Sequence, residues 1–430
     1  MRVLWVCNIM LPAAARALGQ ESSVREGWLS GLLGEYLEAT EGREPGLVLG
    51  LCFPASGRLA QLSEELPLGQ KGERVACYGF AEDLEHPERY DEAMEGRFRQ
   101  ILEAFQPDLV HIFGTEFPHA CACAKVWNRP ERTLVGLQGL CCACSKDYMA
   151  DLPLSVQNSR TFRDILKRDS LRRQQEKFAL RAQNEEKLLR LAGHVTGRTE
   201  FDKTIALRIN PSAKYYKMNE TMRPDFYQGG WDIEKCRPFE IFVSQADYPL
   251  KGFHYLLQAM KEILQFAPEA HIRVAGNSVL GVDGIKSRIK LPAYGKYLRR
   301  LIWQNGLEGK VEALGRLDAG QMKEAYLSCR VFVCPSAVEN SPNSVAEAQL
   351  LGVPVVASRA GGIPSLVEDQ IGGLLFEKGD VCGLARCVLS LMKDDGLARR
   401  LSGSERAVAR RQYSGADNYR RLLEIYREMA

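Results

Sequence analysis

Short runs of apolar and β-branched residues alternate with longer amphipathic segments along the whole chain. Apolar strands separated by helices are typical of parallel sheets that helices cover on both faces. The runs form two series, which predicts two doubly wound, Rossmann-like α/β domains. The predicted strands of the first series are Val3–Cys7, Leu47–Cys52, Val75–Tyr78, Leu109–Phe113, Thr133–Leu137 and His194–Thr196. Those of the second are Glu240–Ser244, His271–Ala275, Lys310–Leu314, Val331–Cys334, Pro354–Ala357 and Gly373–Phe376.

A segment rich in turn-forming residues, 223–232, separates the two series and predicts a hinge near Gly229–Pro238. We therefore expect an amino-terminal domain over residues 1–235 and a carboxyl-terminal domain over 236–408. A last segment, 409–430, holds a helix predicted from Tyr413 to Met429 that could pack on either domain. Two such domains would face each other across a crevice at the carboxyl ends of their strands, where ligands bind in doubly wound sheets.

Composition narrows the classes of protein. The chain has 430 residues, of which 45% are hydrophobic and 26% charged, and its net charge of +3 is too small to indicate a nucleic-acid coat. No apolar run approaches the roughly 20 residues that span a bilayer. Thirteen cysteines without a recognisable secretory leader predict reduced thiols and a cytoplasmic location.

The segment from Pro335 to Ser358 carries the most specific chemistry. Glu339 falls in a loop after an apolar strand, and Glu347 falls in the helix that follows. Ser341 and Pro342 predict the start of that helix with a hydroxyl cap, and Gly352 predicts its end. Free amides at a helix start attract phosphate, and carboxylates accept hydrogen bonds from sugar hydroxyls. A nucleotide-sugar carries both groups.

Taken in order, these motifs make the chain resemble glycosyltransferase family 4, the retaining group with the GT-B fold. The resemblance is strongest from Ile241 to Phe376. Its matching pieces there are Lys251-Gly252, Val274-Ala-Gly276, Leu314-Gly-Arg316, the pair Glu339 and Glu347, and Gly361-Gly-Ile-Pro364. Two earlier pieces, 197–203 and 219–223, also match. The resemblance implies that a sugar passes from a nucleotide diphosphate, a UDP-sugar first of all, to a hydroxyl acceptor in bacterial surface glycan synthesis.

The resemblance also implies roles for individual residues. Lys251 would stabilise the leaving diphosphate, Glu339 would hold the hydroxyls of the donor sugar, and Glu347 would hold the ribose. The remaining implied donor contacts are the loop at Asn340, Ser341, Asn343 and Ser344, then Gly276, Arg316, Leu317 and, from the first domain, Gly27.

This chain departs from the family at three positions, one of which is Glu26, where a first glycine is common. Gln245 stands where an arginine is usual, six residues before Lys251, and Arg223 is the substitute cation that we consider, with a structural ion pair as its alternative role. Gln138 stands where many relatives have a histidine, and we expect it to orient the sugar. His111 and His119 lie nearby, but a lone histidine near a strand end is more often structural.

A retaining reaction of this type needs no protein nucleophile, because the leaving diphosphate can take the proton of the acceptor hydroxyl. No Asp-x-Asp motif follows a predicted strand, so neither a metal nor a cofactor is expected. Cysteines 121, 123, 141, 142 and 144 lack the spacing of a zinc site and are interpreted as core residues.

Other interpretations remain open at this level. A nucleotide-sugar epimerase can use the same fold, and Gln138 and Gln245 would suit a catalytically silent nucleotide-sugar-binding subunit. The acceptor could be a glycan, a lipid-linked molecule or a small molecule. The segment Arg160–Arg190 mixes basic and acidic residues, which is typical of a solvated helical face and is also compatible with peripheral contact at the inner face of the plasma membrane.

Overall fold

A computed structural model describes residues 1–21, 27–40, 46–69, 72–277, 280 and 290–430. It confirms two α/β units built on parallel sheets. The first unit comprises residues 1–142, 178–223 and 413–430, and the second comprises 143–177 and 224–412. The units differ from the predicted domains because segment 143–177 groups with the second unit and the predicted hinge lies inside that unit. Trp231 is anchored there, since its amide donates to Leu351 O at 2.8 Å and its indole to Cys329 O at 2.8 Å.

The sheet of the first unit has the order β3-β4-β2-β1-β5-β6-β7-β8, with β3 antiparallel to β4 and the other neighbours parallel. The six predicted strands are present within one or two residues. The two edge strands were not predicted, because β3 (SEELP) and β8 (KYYK) bury one residue each and show no apolar run. The bounds are β1 Arg2–Val6, β2 Val48–Pro54, β3 Ser63–Pro67, β4 Arg74–Phe80, β5 Leu109–Phe113, β6 Thr133–Gly136, β7 His194–Gly197 and β8 Lys214–Lys217.

Helices connect these strands, and the chain's last helix completes the unit. The bounds are α1 Pro12–Ala17, α2 Gly27–Thr40, α3 Ala93–Phe105, α4 Pro118–Trp127, α9 Glu200–Ile209 and α16 Gly415–Met429. Two further helices, α5 Cys141–Asp147 and α8 Leu171–Leu191, have residues in both units. The helix α16 buries Tyr426 against the sheet, where its hydroxyl meets the Trp5 indole at 2.8 Å and the His111 ring at 2.7 Å. The carboxyl-terminal helix is therefore part of the core of the first unit.

The sheet of the second unit has the order β11-β10-β9-β12-β13-β14, and all its neighbouring strands are parallel. The predicted second series is confirmed strand by strand. The bounds are β9 Arg237–Val243, β10 His271–Ala275, β11 Val311–Gly315, β12 Cys329–Cys334, β13 Val355–Ser358 and β14 Leu374–Phe376. Its helices are α6 Leu154–Gln157, α7 Phe162–Leu166, α10 Phe253–Phe266, α11 Ala293–Gln304, α12 Ala319–Ser328, α13 Asn343–Leu351, α14 Val381–Lys393 and α15 Asp395–Gln412.

Parallel strands end at the same edge of a sheet, so the loops after β9, β10, β11 and β12 open on one side of the second unit. Those loops carry the donor-site residues that the sequence predicts. None of the described helices is long and apolar enough to cross a bilayer.

Candidate functional site

The loop after β12 leads into α13, which begins at Asn343. Pro342 precedes it in an extended conformation (φ −69°, ψ 115°), and no side chain caps the first turn. The expectation of a Ser341 hydroxyl cap is therefore wrong, because the helix starts after the proline. The first amides of α13, at Asn343 and Ser344, have no carbonyl partner within the helix, as at every helix start. Gly352, in the left-handed conformation (φ 74°), ends α13 as predicted.

Lys251 and Glu339 meet at the carboxyl edge of this sheet although they are far apart in sequence. Lys251 Nζ lies 2.7 Å from Glu339 Oε1, and the two side chains are only 20% and 15% exposed. Ser336 Oγ donates to the same carboxylate oxygen at 2.9 Å. Burial alone would lower the pKa of Lys251, but the Glu339 carboxylate and the Tyr248 hydroxyl outweigh it and raise that pKa. The lysine is therefore a fixed ammonium group.

Tight backbone contacts hold this pair in place. Gly252 has a φ of 65°, and a Cβ atom there would overlap the carbonyl oxygen of Pro335. Gly361 has a φ of 57° and lies in the same way against the backbone of Glu339, whose carbonyl accepts the Gly362 amide at 2.8 Å. Two of the matching sequence pieces, Lys251-Gly252 and Gly361-Gly362, thus pack against the backbone of the loop that carries Glu339.

Glu347 lies in the middle of α13 and is 6% exposed. The hydroxyl of Tyr326 lies 3.5 Å from its Oε2 and also donates to Ser344 O at 3.0 Å. Asn340, in the preceding loop, is equally buried at 6%. Tyr326 comes from α12 and is a contact that the sequence analysis did not identify.

A hydrogen-bonded network joins the ends of β9, β10 and β11. Gln245 Nε2 donates to Asp247 Oδ2 at 3.3 Å, and Asn277 Nδ2 donates to the same oxygen at 2.9 Å. Arg316 Nε donates to Asn277 Oδ1 at 2.6 Å. Gly276 (φ 102°) leaves room for this network, because a Cβ atom there would lie 2.9 Å from Asp247 Oδ1.

This network brings Gln245, Gly276 and Arg316 together through two residues that sequence reasoning missed, Asp247 and Asn277. The position of Asp247, two residues after Gln245, is the sequence feature that could have identified it as a site residue. Leu317 lines an open groove beside α12, together with Leu314 and Ala325. Residues 278–279 and 281–289 of the following loop lie outside the described part of the chain.

In the first unit, Gly27 and Arg223 are neighbours. The helix α2 is described from Gly27 onward, and a Cβ atom at that position would overlap the Arg223 side chain. Residues 22–26, which directly precede α2, lie outside the described residues.

Gln138 follows β6 and lines a small cavity of about 30 Å³, enough for about two water molecules, at the carboxyl ends of β5 to β8. The buried ion pair Arg198–Glu220 also lines it, and Arg198 donates to Leu137 O at 3.1 Å. Arg198 and Glu220 lie in the segments 197–203 and 219–223 that match the family, but the sequence assigned neither residue a role.

His111 lines the same cavity and shares a hydrogen bond with Tyr426. The Trp5 indole can only donate, so Tyr426 Oη accepts from it, and the same oxygen lies 2.7 Å from His111 Nδ1. His111 Nε2 has no hydrogen-bond partner in the described residues. Burial lowers the pKa of His111 to about 3, so the ring is neutral at pH 7.

The other candidates have ordinary structural settings. His119 pairs with Glu82 at 2.7 Å, and both side chains are 1% exposed. All thirteen cysteines are free thiols, and burial raises the pKa of Cys77 and of Cys334 to about 12. Within the described ranges, no group of three or more His, Cys, Asp or Glu side chains has the arrangement of a metal site.

Comparison with known proteins gives a family match over part of the second unit. Residues 229–408 match the model of the family "Glycosyl transferases group 1". D-inositol 3-phosphate glycosyltransferase of Corynebacterium urealyticum is 30% identical over 184 residues, which are 42% of this chain and 41% of that protein. Sulfoquinovosyl transferase SQD2 of Arabidopsis thaliana is 34% identical over 164 residues, 37% of this chain and 28% of that protein. The chain thus aligns with less than half the length of these curated relatives.

Solved structures resemble the whole chain. Sucrose-phosphate synthase from Thermosynechococcus elongatus superposes with a TM-score of 0.70 at 15% identity, covering 100% of this chain and 99% of that one. Anabaena HepE in complex with UDP-glucose gives a TM-score of 0.64 at 17% identity, covering 100% of both chains. These likenesses confirm the predicted GT-B fold.

Proposed function

Because residues 229–408 of the second unit match the model of the family "Glycosyl transferases group 1", we propose that this chain is a retaining glycosyltransferase. Its donor is a nucleotide-diphosphate sugar, UDP-sugar first of all, and its acceptor is a hydroxyl group on a growing bacterial surface glycan. The complexes of Anabaena HepE with UDP and with UDP-glucose support the choice of donor. The single observation that carries the proposal is the partly buried Lys251–Glu339 pair at the carboxyl edge of the second sheet.

The reaction that we propose transfers the sugar on one face. The acceptor oxygen forms a bond to the anomeric carbon as the bond from that carbon to the diphosphate breaks, and the hydroxyl proton passes to the departing diphosphate oxygen. The Lys251 ammonium and the first amides of α13 stabilise the negative charge that develops on the diphosphate. Glu339 accepts hydrogen bonds from the sugar, and Gln138 orients it. No metal ion is needed in this scheme, since fixed positive groups supply the charge.

The other predicted residues hold the donor. Glu347 binds the ribose hydroxyls, and the backbone from Asn340 to Ser344 binds the sugar and the distal phosphate. Gly276 allows close approach of the nucleotide, and Arg316 and Leu317 meet the base. In the first unit, Gly27 amides contact the phosphates, with Arg223 as the additional cation.

Gln245 has a defined part in this arrangement. Its side-chain amide is uncharged and hydrogen-bonds to Asp247, so position 245 supplies no positive charge at the end of β9. Lys251 is then the cation of that loop, and its loss should be severe. The cavity beside Gln138 in the first unit, which neutral His111 lines, has room for one hydroxyl group of an acceptor.

We extend the proposal to the setting of the enzyme. It acts in the cytoplasm on a glycan, lipid-linked or small-molecule acceptor, with peripheral contact at the inner face of the plasma membrane. The small net charge of +3 supports a partner other than nucleic acid.

The test starts from donor binding. A thermal-shift panel of UDP-, GDP- and ADP-sugars should show one nucleotide that raises the melting temperature. Transfer to acceptor is then measured for Lys251→Ala and Glu347→Ala, which should each lose about a hundredfold in turnover. Lys261→Ala, at an exposed position of α10, is the matched control.

Each outcome has a meaning. Unchanged turnover in both site variants would remove the site assignment. Donor binding without transfer or hydrolysis would favour a silent binding subunit, and release of an epimeric sugar without acceptor would favour an epimerase. Retention is read from the anomeric configuration of the product by NMR.

A further inference from the structure

A stretch of the second unit, residues 154–173, exposes its large apolar side chains. Leu154, Phe162, Ile165 and Leu166 are 69%, 65%, 63% and 73% exposed. We call residues 154–173 the docking segment. It contains α6, α7 and the start of α8. Three of these residues, Phe162, Ile165 and Leu166, lie at helical positions i, i+3 and i+4 and so share one face of α7, whereas apolar residues scattered singly over a surface need no explanation.

The helix α7 exposes apolar side chains and buries its polar capping residues, which is the reverse of an ordinary surface helix. Its capping box is buried, with Thr161 and Asp164 each 3% exposed. Asp164 Oδ2 also accepts the backbone amide of Ala293, at the start of α11, at 3.0 Å. These buried polar contacts fix the rotation of α7, so Phe162, Ile165 and Leu166 have to face outward on one side of the turn.

The charge of the docking segment is strongly positive. It holds six basic and two acidic residues, a net charge of +4 that exceeds the +3 of the whole chain. Of the two acids, Asp164 is buried and Asp169 is paired with Arg163 and Lys177. The exposed basic residues Arg160, Lys167 and Arg168 have no ion-pair partner among the described residues.

The rest of the predicted basic stretch differs. Further along α8, Arg190 pairs with Glu186, as on a solvated helical face. Arg173, the last residue of the docking segment, is likewise paired with Glu176. The features that point to a binding surface are therefore confined to the docking segment.

We propose that the docking segment seats the protein on an anionic phospholipid bilayer. Phe162, Ile165 and Leu166 enter the boundary between headgroups and acyl chains, and the basic residues around them meet the anionic headgroups. Apolar side chains alone would also suit a second copy of this chain, but two copies would bring together two segments of the same positive charge. The proposal deepens the proposed function, since it would bring the enzyme to an acceptor carried on lipid.

The experiment is co-sedimentation of the full chain with large unilamellar vesicles, of phosphatidylcholine alone and with about one third phosphatidylglycerol. We expect binding to the anionic vesicles, weakened by high salt. The double variant Phe162→Ser/Leu166→Ser should bind at least about tenfold more weakly, and Arg160→Gln/Lys167→Gln should lose about fivefold for each charge removed. Trp303→Ser is the matched control, because Trp303 is 71% exposed on α11 of the same unit.

Two results would overturn the proposal. The first is that the unaltered chain pellets with neither vesicle. The second is that Trp303→Ser loses as much binding as the double variant. Dimerisation in solution that the double variant abolishes, without any vesicle binding, would assign the patch to a second copy instead. Lys251→Ala should still bind vesicles, so a failure of the donor-site assignment and a failure of this proposal are read separately.

Discussion

The Lys251–Glu339 pair gives a prediction in which stability and catalysis separate. Replacing Lys251 by Met removes the ammonium group and leaves the Glu339 carboxylate hydrogen-bonded to the Ser336 hydroxyl. Breaking a fully buried ion pair costs about 3–5 kcal/mol. Because these side chains are 20% and 15% exposed, we expect Lys251→Met to lower the free energy of unfolding by about 2–3 kcal/mol.

The double variant Lys251→Met/Glu339→Gln removes both charges and should recover about 1–3 kcal/mol of that loss, as coupled neighbours do. Turnover should follow a different rule. If the lysine stabilises charge that forms on the diphosphate, its loss costs about a hundredfold, or roughly 2.7 kcal/mol of transition-state stabilisation. Restoring stability with Glu339→Gln should not restore that rate.

Urea unfolding at pH 7 measures the stabilities, and acceptor-dependent UDP release measures turnover. The raised pKa of Lys251 keeps its stabilising contribution complete below about 10.5, its ordinary value, and loses it only as pH rises through the folded-state pKa. The cycle should therefore read the same at pH 6 and pH 9. Recovery of turnover in the double variant would refute the role in leaving-group stabilisation, and an additive cycle would refute the ion pair.

Further predictions concern three other positions. Glu405 is fully buried, both its carboxylate oxygens are unpartnered in the described chain, and burial raises its pKa, so the free energy of unfolding should fall as pH rises above about 4.5. Glu405→Leu should raise the free energy of unfolding by about 1–3 kcal/mol, more at pH 8 than at pH 5. Equal gains at the two pH values would contradict this. Gly252→Ala should cost about 1–3 kcal/mol and reduce transfer, because the position has a φ of 65° and the methyl group would overlap Pro335 O; normal stability by urea unfolding would contradict this. Gly136→Ala would place a methyl group 3.4 Å from His111 Nε2, in the lining of the cavity. We therefore expect a higher KM for the acceptor and unchanged UDP binding. An unchanged KM for the acceptor would exclude the cavity from acceptor binding.

Much of the fold could be predicted because strand signals are local. The continuous apolar runs of the second sheet match their strands within a few residues, since a parallel strand buried on both faces has to be apolar throughout. The edge strands β3 and β8 escaped because edges need not be apolar. The unit boundaries also differed, since grouping of segment 143–177 with the second unit depends on long-range contacts.

The candidate site shows the same division. Turn glycines such as Gly252 and Gly361 were visible as motif residues, but the backbone atoms that they approach were not. The cap of α13 was misjudged because proline fits either just before a helix or in its first turn, and local sequence does not distinguish the two. Asp247 and Tyr326 carried no motif, so only their contacts reveal them.

The sequence by itself determined two series of parallel strands, the helix ends marked by glycine, and the chemical groups available at the strand ends. These follow from periodicity and backbone preference, which act over a few residues. Long-range packing decides that Lys251 meets a carboxylate 88 residues away, that Tyr426 meets His111, and that α7 turns its apolar side outward. Those outcomes depend on which surfaces are buried together, and burial is a property of the packed chain as a whole.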